Sequence, residues 1–344
     1  MGGYFTFVCS TVGSIASERR VGRPSKERQR ALACGPGAFP GESGKERAAW
    51  GGVELAKFVA LLASGVAYGA ILMLVSLGFV VLFKATGIVN FAQGDLVTLG
   101  AFVAFWAGSS LGLPILATYV VAIVGLFFCG VIIERIAYVP LRKRPPIVVV
   151  IATLAVSVMI EGLIELWQGS SPKNLPSPVG TAVWHVAGAD IAMQRVVIVI
   201  VTAVVVTAVL VIFKTTSIGR QVRALASDGE TAQLYGVRTR AVSVGAFGVS
   251  ASLAALAGVL VAPLSAIDVT FGFALMVNSF SAVVLGGFVS LEGTAAAALS
   301  IGIIQQVVGG YFLPSYSDTL PLIVMFVVIA VRPQGLFVLR SSRL

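Results

Sequence analysis

Apolar residues in this chain come in long blocks, and polar residues come as punctuation between them. The blocks run over 58–83, 88–107, 114–133, 146–167, 192–213, 241–263, 271–290, 294–312 and 318–331. A helix of about 20 residues crosses a hydrocarbon core of about 30 Å, and most blocks have that length. They are longer and more evenly apolar than the roughly 10-residue alternating strands of a membrane barrel. The pattern predicts an all-α integral membrane protein, a bundle of about 8–9 transmembrane helices with broken or re-entrant segments. The largest polar interruption that is itself helix-capable is 214–240, KTTSIGRQVRALASDGETAQLYGVRTR. A soluble-looking helical loop between membrane spans is a place to meet another protein.

Composition agrees. Of 344 residues, 57% are hydrophobic and only 11% charged, against about 25% charged in soluble domains. The first 55 residues are different. They are rich in Gly, Arg, Ser, Ala and Glu without sustained periodicity, and are expected to form a disordered extension ahead of a transmembrane domain at 56–344. The net charge of +9 sits in that extension and at span ends. Basic span ends are the positive-inside signal of a lipid-embedded chain, so nucleic acid is not the expected partner. Three cysteines (Cys9, Cys34, Cys129) and one histidine (His185) offer no disulfide framework and no metal set. No metal or other cofactor is expected.

The cations also orient the chain. Arg135, Arg142, Lys143 and Arg144 follow the third block, and Lys214, Arg220, Arg223, Arg238 and Arg240 follow the fifth. Arg332, Arg340 and Arg343 follow the last. Alternation puts all three groups, and the C-terminus, on the cytoplasmic side. The opposite gaps, 108–113, 168–191, 264–270 and 313–317, hold Lys173 as their only Lys or Arg. Nine crossings then start the first span outside, an awkward place for a basic extension. The 168–191 gap, with its prolines and glycines, is read as short turns.

Polar groups inside the blocks are the candidate chemistry. Gly87–Asp95 reads G-I-V-N-F-A-Q-G-D, and only 12 residues separate Leu96 from Ala107 inclusive. That is about 18 Å of helix at about 1.5 Å per residue, too short to cross alone. Asn90, Gln93 and Asp95 are therefore expected within the membrane. There, polar groups must face protein or a water-filled path. Gly87 and Gly94 permit a broken or re-entrant start, whose freed N–H groups suit a passing carboxylate. Two readings stay open, lining a pathway and gluing helices by hydrogen bonds and close glycine packing. Asn278 and the run L-G-G-F-V-S-L-E-G at 285–293, with Gly286 and Gly287, form a similar interruption in the second half. Paired interruptions of this kind point to the path between two halves. Glu161 and Glu165 share a helix face at a spacing of four.

In the 214–240 loop, Ser227 or Asp228 can cap a short helix with Glu230 and Thr231 in its first turn. Gly236 would end it. Ala232, Leu234, Tyr235 and Val237 offer an apolar surface, flanked by Arg220 and Arg223. Such a helix can lie on lipid or dock into a partner's groove. No G-x-x-x-x-G-K-[ST] occurs, so ATP hydrolysis is not expected of this chain. No nucleophile–base pair stands out either, and the chain is read as non-catalytic.

Taken together, G-I-V-N-F-A-Q-G-D at 87–95, L-G-A-F at 99–102 and T-x-x-G-R-x-x-R-A-x-x-x-D-x-x-x-A-x-L-x-G from Thr216 to Gly236 resemble a known family. So do A-G-V-L-x-A-P at 257–263, V-L-G-G at 284–287 and R-P-Q-G-L-F at 332–337. The resemblance is to the LivH-type permeases of branched-chain amino acid ATP-binding-cassette importers. It implies import of branched-chain amino acids or a related small amino-acid or amide solute across a bacterial inner membrane. The implied partners are a second, homologous permease, two cytoplasmic ATPases and a periplasmic or extracellular solute-binding protein. It also implies a coupling helix at about Asp228–Gly236, making Gly219, Arg220, Arg223, Asp228, Ala232, Leu234 and Gly236 the ATPase-coupling residues. Relatives commonly carry His where Gln93 stands, Glu where Asp95 stands, Gln near Glu161 and Lys near Asn278. A different class, a stand-alone secondary transporter or channel, would use Glu161 and Asp95 for coupling.

Overall fold

The structure is a computed structural model that describes residues 44–180, 182–186, 188–288, 290–311 and 314–332. The chain divides into two units, Met1–Gly52 and Val53–Leu344. Most of the expected N-terminal extension, residues 1–43, lies outside the described residues, as does the end of the R-P-Q-G-L-F motif.

Among the described residues, each of the nine apolar blocks is mainly helical. The helices are α1 (Gly44–Thr86), α2 (Gln93–Leu111), α3 (Ile115–Ile133), α4 (Pro146–Gln168) and α5 (Met193–Thr215). Then come α6 (Ser217–Ser227) and α7 (Gly229–Leu234), both inside the polar loop. The last spans are α8 (Thr239–Val261), α9 (Phe271–Gly286), α10 (Leu291–Tyr311) and α11 (Leu320–Val331). Among the described residues seven helices are long and apolar enough to cross a membrane, the one in α1 being Glu54–Thr86. The helices Phe271–Gly286 and Tyr316–Val331 are shorter.

Two boundaries differ from the sequence pattern. Helix α2 begins at Gln93 rather than 88, because residues 87–92 leave the helix at Gly87, whose φ is +73°. The 168–191 gap contains a hairpin, β1 (Val183–Val186) and β2 (Ala189–Ala192), paired antiparallel with Trp184 opposite Ile191. Turn-rich composition concealed those two short strands.

Close backbone approach organises the bundle, as expected where lipid removes the hydrophobic drive between helices. A Cβ on Gly302 of α10 would lie 2.3 Å from Gly69 Cα of α1, and one on Gly65 would lie 2.8 Å from Ile303 Cα. On the other side of the bundle, Gly258 of α8 leaves no room before Val97 O of α2. Helices α1 and α8 are the most enclosed, while α3, α4 and α5 leave broad apolar faces bare.

Contacts fix which loops share an end. Lys84 at the end of α1, Arg142, Lys143, Leu225, Ala226 and Gln233 line one cavity. Lys214 pairs with Glu292 at the start of α10. These make a basic end. At the opposite end Lys173 and Ile267 exchange backbone hydrogen bonds of 2.9 and 2.8 Å, and Tyr311 Oη donates to Glu54 O at 3.5 Å. The first crossing therefore starts opposite the basic end, as an odd number of crossings requires.

Candidate functional site

Helix α2 starts deep in the bundle. Gly78 of α1 lacks a side chain, and the Gln93 amide occupies the space a Cβ would take. Gly78 is eight residues from Thr86, about 12 Å along α1. The chain thus turns back at Gly87 and opens a new helix well inside the membrane. Gln93 is fully buried; its Nε2 donates to Ser250 O of α8 at 3.2 Å. Ser250 Oγ lies 3.0 Å from Gln93 Oε1 and 2.9 Å from Gly78 O, able to donate to either. Asn90, also buried, accepts from Ala92 N–H at 3.1 Å through Oδ1. Thr153 Oγ1 of α4 accepts from Phe91 N–H at 3.2 Å. Asn90 and Gln93 therefore hold the broken start in place through hydrogen bonds to protein.

Asp95 has a different setting. It is buried, and its Oδ2 accepts from Ser157 Oγ of α4. Glu161 follows Ser157 by one turn on the same face and is half-buried, whereas Glu165 is exposed. The seam between α2 and α4 thus carries two carboxylates.

The second-half candidates separate. Gly94 packs against Gly272 of α9, and a Cβ on Gly272 would reach 1.9 Å from Gly94 O. Gly272 N–H donates to Thr98 Oγ1 at 2.9 Å. The meeting of the two halves is therefore at the start of α9, not at Gly286–Gly287 as the sequence pattern suggested. Gly286 abuts Thr294 at the start of α10, and Gly287 turns with φ +76°. That turn sits beside the Lys214–Glu292 pair, at the basic end. Asn278 is buried but turned to α1, its Nδ2 donating to Tyr68 Oη at 3.0 Å.

The polar loop is two helices. Thr216 Oγ1 accepts from Gly219 N–H at 3.4 Å to start α6. A Cβ on Gly219 would lie 2.1 Å from Phe213 O, so only glycine lets α6 fold back on the end of α5. Arg223 Nη1 donates to Phe213 O, and Arg220 Nη1 donates to Thr215 O at 3.3 Å. The two arginines thus cap the C-terminal carbonyls of α5, a favourable place for cations. Asp228 is the N-cap of α7; its Oδ1 accepts from Thr231 N–H at 3.1 Å. Val237 N–H bonds Ala232 O at 3.1 Å and Gly236 N–H bonds Gln233 O at 3.0 Å. With Gly236 at φ +81° this is a Schellman ending. The apolar surface divides: Ala232 is buried, while Leu234 and Tyr235 are 87% and 85% exposed.

Several polar residues escaped the sequence reading. Glu134, in a π-helical turn (Glu134–Tyr138), is fully buried and accepts from Ser243 Oγ at 2.7 Å. Gln305 is buried, and its Nε2 donates to Asp318 Oδ1 at 3.0 Å. The adjacent pair Gln305–Gln306 inside an apolar block was a visible signal. Ser250, one serine in a run of small residues, carried none.

Comparison with known proteins places the chain. Residues 61–329 match the profile of the family described as branched-chain amino acid transport system / permease component. The high-affinity branched-chain amino acid transport system permease protein LivH of Escherichia coli (strain K12) is 30% identical over 293 residues. The alignment covers 81% of this chain and 95% of that protein. BraD of Pseudomonas aeruginosa, a permease protein of the same kind of system, is 27% identical over 296 residues, 82% of this chain and 96% of BraD. The autoinducer 2 import system permease protein LsrC of Salmonella paratyphi B is 28% identical over 226 residues, 63% of this chain and 58% of LsrC.

Proposed function

The chain belongs to the family of permease components of branched-chain amino acid transport systems, and we infer that it forms the membrane path of an ATP-driven importer for such amino acids. Its partners are two cytoplasmic ATPases, a second permease and a solute-binding protein on the outer side of a bacterial inner membrane. The basic end faces the cytoplasm, and so does the C-terminus.

One observation carries this reading. The short helix α7, fixed by Asp228 and Gly236, presents Leu234 and Tyr235 to the outside at the basic end. Two large apolar side chains on a capped, rigid tip suit insertion into a groove of an ATPase. Gly219, Arg220 and Arg223 brace that tip against α5, so a push on it is transmitted to the membrane helix. Along the path, Asp95 and Glu161 are the polar groups offered to solute, while Asn90 and Gln93 hold the broken helix and Asn278 is bound to Tyr68.

The test is reconstitution. Proteoliposomes holding the permeases and ATPases, with binding protein outside, should accumulate leucine only with ATP and Mg²⁺ within. A cysteine at Leu234 or Tyr235 should cross-link to the ATPase. Leucine uptake by the chain alone, driven by a proton gradient, would instead identify a secondary transporter.

A further inference from the structure

At the end opposite the basic one, a cavity of about 300 Å³ lies between α1 and α10. Leu61, Tyr68, Gln305, Gln306, Gly309 and Asp318 are on its wall. Its position follows from two helices running in opposite directions. Gln305 is 13 residues beyond Glu292, about 20 Å along α10, and Glu292 marks the basic end through its pair with Lys214. Tyr68 is 16 residues before Lys84, about 24 Å along α1. The volume is at the small end of ligand sites.

The hydrogen bonds set its polarity. A carboxylate only accepts, so the bond from Gln305 to Asp318 must come from the amide nitrogen. That fixes the amide, and leaves Gln305 Oε1 as a buried oxygen with no partner in a side chain only 3% exposed. A buried acceptor without a donor is costly. Tyr68 Oη, already accepting from Asn278, forms the inner wall. The cavity therefore offers one carboxylate, held in place by a glutamine whose own oxygen is buried. An ammonium group, with donors and no acceptor, answers a carboxylate that only accepts. Lys57, one helical turn before Leu61 of the wall, stands over the Tyr311 ring, 4.6 Å from its centroid. A zwitterion meets a carboxylate on the wall and a cation one helical turn beyond it.

We propose that this cavity is a receiving subsite for the ammonium group of the imported amino acid, with Asp318 as its acceptor. The proposal rests on the import reading, and its consequence is a permease that selects for the amine after release from the binding protein. Gln305 is a positioning residue for Asp318.

The experiment uses the assembled permease–ATPase complex in liposomes, without binding protein. Ser317→Cys places a thiol on the cavity wall, and its labelling by an externally added, membrane-impermeant maleimide is followed. L-Leucine and isopentylamine should slow labelling severalfold, while 4-methylpentanoate, which lacks the amine, should not. Asp318→Asn should abolish protection by the amine; Asp318→Glu should keep part of it. Gln306→Cys gives a second reporter should the first disturb assembly. Equal protection by the acid and the amine overturns the proposal. So does protection that survives Asp318→Asn, or protection by sodium, potassium or calcium salts alone. ATP-driven leucine uptake by the same complexes, measured after adding binding protein, reports on the import reading separately. Intact uptake with no protection by any amine sinks the subsite alone.

Discussion

Single glycines decide how near these helices come. A Cβ on Gly272 would sit 1.9 Å from Gly94 O, a backbone atom that cannot swing aside, whereas one on Gly162 meets nothing within 4 Å. Gly272→Ala should therefore push α9 off α2. Overpacking of this kind costs about 1–3 kcal/mol, and thermal unfolding in detergent should drop by several degrees. Gly162→Ala should leave the midpoint where it is. Equal midpoints for the two variants would mean that α2 and α9 do not meet as described. Gln93 works at the same scale. Its amide is spent on Ser250, so the polarity that looked like pathway chemistry in the sequence is used to anchor a helix that starts inside the membrane.

Among the elements, α7 is too short to be stable by itself and depends on its ends. Asp228 supplies the N-cap and Gly236 the left-handed ending. Replacing Asp228 with Ala removes a cap that is worth about 1 kcal/mol, while Asn or Ser would keep it. Asp228→Ala should lower solute uptake per ATP hydrolysed, with membrane insertion and yield of the complex unchanged, and Asp228→Asn should restore coupling. Stoichiometry that is unchanged in Asp228→Ala would argue that α7 is not the element the ATPase drives. Its neighbour α6 ties the loop to the membrane helices. Val222 is buried and Gly219 touches the end of α5, so the loop is a corner packed on a membrane helix.

For the molecule as a whole, the two ends differ in charge and in what they expose. Lys84, Arg142 and Lys143 surround a cavity of about 790 Å³ at one end, and the smaller cavity with Asp318 lies at the other. In a background with Cys129 and the two N-terminal cysteines replaced, single cysteines at Lys143 and Thr231 should react with an impermeant thiol reagent only from the cytoplasm. A cysteine at Asn174 should react only from outside. Labelling of Thr231→Cys from outside would invert the molecule and detach α7 from any ATPase. The bare apolar faces of α3, α4 and α5 are surfaces suited to lipid.

The block pattern alone carried the class of fold, the number of helices and the side on which the cations gather. Length and hydropathy are local properties, and the bilayer reads them locally. The capped helix at Asp228–Gly236 was legible for the same reason, since its cap and its glycine act on their own neighbours. Pairing across the bundle was not legible. Nothing in the run G-A-F-G-V-S-A-S marks Ser250 as the partner of Gln93, and nothing in L-G-G marks that turn as peripheral. Tyr68 is distant in sequence from Gln305 and Asp318, and only the antiparallel packing of α1 on α10 through Gly65, Gly69 and Gly302 brings it to their cavity. A polar residue in an apolar block announces that it must be satisfied; by what is decided by helix packing, which depends on backbone approach and not on local composition.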